Sequence, residues 1–132
     1  MVLVQLLVAG VVMGLIDFIW LGYVAKKLYY DEIGALLLDK PNMVAAVLFY
    51  LIYVVGIVAF AVSPAIEKGS WQYALGYGAL FGTIAYATYD LTNLATLKGW
   101  STKIVVIDMA WGAVLTGSVA VITYWIVTKW LS

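Results

Sequence analysis

Three aspartates stand inside long apolar runs: Asp17, Asp90 and Asp108. A carboxyl group in a dry, low-dielectric setting can exchange protons, hold a cation, or serve as a general acid or base. An aspartate near the centre of a membrane helix disfavours insertion by about 3 kcal/mol, so such residues face the bundle interior and often mark a site. Their distance from flanking lysines gives their depth. Asp17 lies nine residues before Lys26, Asp90 eight before Lys98, and Asp108 five after Lys103. At 1.5 Å per residue these offsets are roughly 8 to 14 Å. With the helix directions given below, all three acids approach the same leaflet, and one shared pocket is expected. Three ionised carboxylates that close would repel strongly, so they must share protons or be joined by a cation. The competing reading is structural: each Asp ties helices together, and Asp108, like Asp39, sits near a helix start where the dipole favours an anion.

Other residues fall on the same helical faces. At 100° per residue Gly82, Tyr86, Tyr89, Asp90 and Asn93 cover about one third of a helix circumference. Gly10, Gly14, Asp17 and Leu21 share another face, with Trp20 at its edge. Gly10–Gly14 and Gly78–Gly82 have the GxxxG spacing that lets helix backbones approach, so each acid faces a packing seam. Ile16-Asp17-Phe18-Ile19-Trp20 is echoed by Ile107-Asp108-Met109-Ala110-Trp111, a short match of the kind inverted repeats leave. In a shared pocket Trp20, Trp111, Tyr86 and Tyr89 would offer stacking or cation–π surfaces, Asn93 would orient a ligand, and Lys98 would stand at the mouth. Aromatic residues at helical spacing also fill cores well without any ligand.

The elements that must position these groups are membrane helices. Of 132 residues, 66% are hydrophobic and 11% charged, more apolar surface than a soluble domain of this size can hide. Four runs, 2–25, 43–63, 71–97 and 104–128, are each long enough to cross the hydrocarbon core, which takes about 20 residues. An all-α, polytopic bundle of four transmembrane helices is therefore expected, one domain over 1–132. Leu28, Tyr29, Ile33, Leu36 and Leu37 suggest a short interfacial helix between the first two spans. Pro41 is expected at the first position of span two, Ser63-Pro64 at its end, and Gly99 at the break before span four. Lys26, Lys27, Lys40, Lys98 and Lys103 lie on one side and Lys68 and Lys129 on the other. The positive-inside rule puts the five-lysine side in the cytoplasm and both termini outside. Trp71, Trp125, Trp130 and Trp100 read as interfacial anchors.

Composition also excludes chemistry. With no His and no Cys, this chain alone builds neither a zinc site nor a Cys–His or Ser–His–Asp nucleophile. Balanced charge and the lack of Arg give no reason to expect nucleic acid. No cofactor is indicated, and Asp90-Leu91-Thr92-Asn93 has no recognised metal-ligand spacing.

The blocks Asp39-Lys40-Pro41-Asn42, Ala87-Thr88-Tyr89-Asp90-Leu91-Thr92-Asn93-Leu94-Ala95-Thr96-Leu97-Lys98-Gly99-Trp100 and Ile107-Asp108-Met109-Ala110-Trp111-Gly112 resemble a family of small bacterial membrane proteins known as domain of unknown function 2177. The resemblance spans almost the whole chain. It implies a four-helix bacterial membrane protein and brings no reaction, cofactor or ligand with it.

Three functions fit these observations, in this order. The first is an inner-membrane carrier or binding protein whose inner-leaflet pocket takes a lipid-like, aromatic or cationic small molecule, with proton coupling, as a homodimer. The second is a membrane-embedded enzyme using paired aspartates on a lipid or isoprenoid. The third is an accessory subunit whose aspartates pair with a partner's helix.

Overall fold

The computed structural model describes residues 2–38 and 40–131, which are helical throughout apart from short connections and contain no strand. Asp39, expected at the start of the second span, lies outside the described residues. Helix α1 covers Val2–Val24 and α3 covers Met43–Lys68. Between them α2 runs Lys26–Ile33 and ends in a 3₁₀ turn, Gly34–Leu36. Helices α4, Trp71–Thr96, and α5, Thr102–Trp130, complete the chain.

Local chemistry sets the boundaries. Asn42, Ser70 and Ser101 cap α3, α4 and α5, their side-chain oxygens accepting the amide protons of Ala45, Tyr73 and Ile104 at 3.2, 3.0 and 3.2 Å. Pro41 therefore stands one residue before the cap, not at the first helical position. Gly69 (φ +64°) and Gly99 (φ +76°) make the left-handed turns after α3 and α4. Helix α3 does not stop at Ser63-Pro64, as the sequence suggested. It passes through a π-helical turn, Val58–Val62, in which Ser63 donates to the Val58 carbonyl. The widened turn makes room for the proline ring and for its missing donor, so the helix continues to Lys68. A second π turn, Trp20–Val24, ends α1, with Ala25 donating to the Trp20 carbonyl at 2.7 Å.

The core lies where α1, α3, α4 and α5 meet, around Ala9, Met13, Ile57, Ala61, Leu115 and Val119. Small residues set the closest crossing. A Cβ at Gly78 would lie 2.9 Å from that of Ala120 and 3.0 Å from the Thr116 carbonyl oxygen, and one at Gly82 would fall on the Gly112 carbonyl. The Gly78–Gly82 seam is thus spent on α5. Gly10–Gly14 is not a seam of this kind: a Cβ at Gly10 would meet nothing, and Gly14 leaves space for the Tyr50 side chain, whose hydroxyl donates to the Gly10 carbonyl.

Large apolar side chains cover the outside. Leu3, Leu7, Val11, Leu15 and Phe18 are exposed along α1, and Val44, Leu48, Leu51 and Val55 along α3. Among the described residues three helices are long and apolar enough to cross a membrane, α1, α3 and α5. Four were expected. Helix α4 has the length but carries Tyr73, Tyr77, Thr83, Thr88, Tyr89, Asp90, Thr92 and Asn93, which lower its apolar content.

Candidate functional site

A cavity of about 740 Å³ opens at one end of the bundle. Helix α1 contributes Asp17 and Trp20, α4 contributes Tyr86, Tyr89 and Asp90, and α5 contributes Asp108 and Trp111. The connection after α1 forms a further wall, including Lys26, Tyr29 and Ile33 of α2, and Trp100 enters from the α4–α5 connection. A smaller cavity of about 410 Å³ beside it shares Tyr86, Tyr89 and Asp108.

The three acids differ in how they are satisfied. Asp108 accepts the Tyr29 hydroxyl at 2.5 Å, a short bond. Tyr29 in turn accepts the Trp20 indole N–H at 3.2 Å. Asp17 receives only a long approach from the Trp111 N–H, at 3.5 Å. Asp90 is fully buried, and neither of its carboxyl oxygens has a hydrogen-bond donor. Asp108 lines the same cavity as Asp90.

Aromatic rings surround these groups. Trp20 and Trp111 stack with centroids 4.2 Å apart and planes 9° from parallel. The two echoing segments of α1 and α5 thus lie against each other, joined by this stack and by the Asp17–Trp111 approach. Tyr89 meets Trp100 edge to face at 5.7 Å, and the Trp100 N–H, also buried, has no acceptor. Outside the spans, burial and then the bond to Asp108 hold the Tyr29 hydroxyl above its usual range, because both favour the protonated form.

Of the residues singled out from the sequence, Asp17, Trp20, Tyr86, Tyr89, Asp90, Asp108 and Trp111 line the same cavity. Asn93 and Lys98 do not. Asn93 stands one turn beyond Tyr89 on α4, outside the cavity lining, and Lys98 is exposed beside the Gly99 turn. The lysine on the cavity wall is Lys26. Tyr29 was legible only as part of an amphipathic connection and Trp100 only as an anchor, since nothing in the local pattern shows that this connection folds back over the acids. Among the described residues no three His, Cys, Asp or Glu side chains gather closely enough to hold a metal ion.

In comparison with known families, the family model described as "Predicted membrane protein (DUF2177)" matches residues 2–125. No curated protein and no solved structure matches the chain.

Proposed function

The chain belongs to this family of predicted membrane proteins, and from that footing we propose that it spans the inner membrane four times and binds or carries a small lipid-like, aromatic or cationic molecule in the carboxyl-lined cavity. Helix α4 supplies the fourth span. Its 26 residues measure about 39 Å, and its hydroxyls are partly satisfied within the helix: Thr83, Thr88 and Thr96 donate to the carbonyls of Ala79, Ile84 and Thr92 at 2.7 to 2.8 Å. The five-lysine side, with the cavity, faces the cytoplasm, and α2 lies in that interface.

One observation carries the binding reading. A fully buried carboxyl with no donor is expensive to maintain for structure alone, and it sits on an aromatic cavity within the roughly 300–1,000 Å³ range of small-molecule sites. Native mass spectrometry of gently extracted protein tests it. Wild type should retain a small adduct that Asp90→Asn loses. The same adduct on both, or none on either, rejects the reading.

Two aspartates from different helices on the wall of one cavity are also what a general acid and base would need, and this favours the enzyme as second reading. Incubation of the recovered adduct with fresh protein separates the two, because a carrier leaves its mass unchanged. A homodimer would have to use another face than Gly78–Gly82, which α5 already fills; the face around Gly10 is free of such contacts.

A further inference from the structure

Among the described residues, four buried side-chain nitrogen and oxygen atoms have no hydrogen-bond partner, and three of them belong to residues of the cavity wall. These are both carboxyl oxygens of Asp90 and the indole nitrogen of Trp100; the fourth, the Thr123 hydroxyl, is not on that wall. Groups of this kind are costly to bury unmet. The two residues flank one ring: Asp90 follows Tyr89 on α4, and Tyr89 meets Trp100 edge to face at 5.7 Å. An indole N–H only donates, whereas a carboxylate only accepts. A cation therefore suits Asp90 and leaves Trp100 without an acceptor, and an anion does the reverse. A hydroxyl answers both. It also suits Asp90 in either state, donating to the carboxylate or accepting from the acid. Lys26, the lysine on the wall, is exposed and has solvent for a partner. Water makes the same bonds as a hydroxyl, so the rest of the wall decides what carries the group. Leu21, Ile33, Leu37 and Leu38 also line the cavity, and Leu21, Leu37 and Leu38 are 52, 47 and 72% exposed. The apolar part of the wall thus continues onto the outer surface, where a hydrocarbon chain can pass into lipid.

We infer that the cavity takes an uncharged amphiphile with a hydroxyl-bearing head, of the class of long-chain alcohols and acylglycerols, an inference that rests on the cavity being the binding site. The head donates to Asp90 and accepts from the Trp100 N–H, and the chain lies along the leucines toward the bilayer. This narrows the ligand to the lipid-like class and makes Trp100 a binding residue as well as an anchor.

The test uses the full-length protein in phosphatidylcholine nanodiscs, whose lipid carries no hydroxyl, with adducts counted by native mass spectrometry as a probe is titrated in. Glycerol monohexadecyl ether is the probe. Its dimethyl derivative keeps every oxygen but cannot donate, and hexadecane can neither donate nor accept. The probe should bind about tenfold more tightly than the dimethyl derivative, which should in turn exceed hexadecane. Asp90→Leu keeps the size of the side chain and removes its oxygens, and should erase the first difference only. Trp100→Phe keeps a ring against Tyr89 and removes the donor, and should weaken both oxygen-bearing compounds alike. In wild type, the indole proton resonance that Trp100→Phe removes should shift with either of these compounds and not with hexadecane. If Asp90→Leu fails to fold, as judged by circular dichroism, Trp100→Phe and the indole resonance still decide. Equal binding of the three compounds, or binding of none, overturns the hydroxyl assignment. A native adduct that Asp90→Asn loses then keeps the cavity as a binding site, and its absence overturns both.

Discussion

The Tyr29 hydroxyl stands between two helices, accepting from Trp20 on α1 and donating to Asp108 on α5. Phenylalanine at this position keeps the ring and removes both bonds. Tyr29→Phe should lower stability by about 1 kcal/mol at neutral pH, in keeping with polar contacts inside membrane proteins. Its pH signature is more specific. The folded state holds the Tyr29 proton beyond the ordinary value of 10.0, so this stabilisation is complete below that pH and is lost as pH rises toward the folded value. Melting curves should therefore fall less steeply above pH 10.0 in Tyr29→Phe than in wild type, and parallel curves would deny the role. The aspartates could be read from the sequence because a charge in an apolar run is conspicuous. Tyr29 could not, since its importance arises only when the α1–α3 connection folds over the cavity. Lys98 was chosen over Lys26 for a related reason. The π turn at Trp20–Val24 inserts a residue that a 3.6-residue period does not register, and it places Lys26, the second residue beyond that turn, on the cavity wall.

Glycine spacing at the level of whole helices was legible as a motif but not as a contact. Gly78–Gly82 meets the α5 backbone, whereas Gly10–Gly14 accommodates one tyrosine; both carry the same four-residue interval, and only the partner surface separates them. Alanine substitution reads that difference. Gly82→Ala drives a methyl into the Gly112 carbonyl and the Thr116 hydroxyl, and should destabilise by roughly 1–3 kcal/mol or more. Gly76→Ala, on the same helix but with open space at its Cβ, should be neutral or slightly stabilising. Thermal unfolding in detergent checks both, and equal midpoints would show that the α4–α5 crossing is looser than described. Helix α3 shows the opposite failing of sequence signals. Ser63-Pro64 looks like a terminus, yet one π turn absorbs the proline and carries the helix five residues further, from Ser63 to Lys68.

For the molecule as a whole, the lack of cysteine allows its topology to be mapped with single introduced thiols. Glu67 and Lys98 are exposed at opposite ends of the bundle, next to the Gly69 and Gly99 turns. If the proposed inner-membrane orientation holds, a membrane-impermeant maleimide applied to intact cells whose outer membrane has been made permeable should label Glu67→Cys at once and Lys98→Cys only after the inner membrane is broken. The reverse pattern would invert the orientation, and equal labelling would remove α4 as a span. The way α4 crosses α5 bears on how such a bundle could work. Where Gly82 rides directly on Gly112 there is no layer of flexible side chains to slip, so the two helices pivot as one block, carrying Asp90 and Asp108 at a constant separation. In the proposed carrier, rocking that opens the cavity first to one compartment and then to the other would fall to α1, α2 and α3, swinging about a rigid spine.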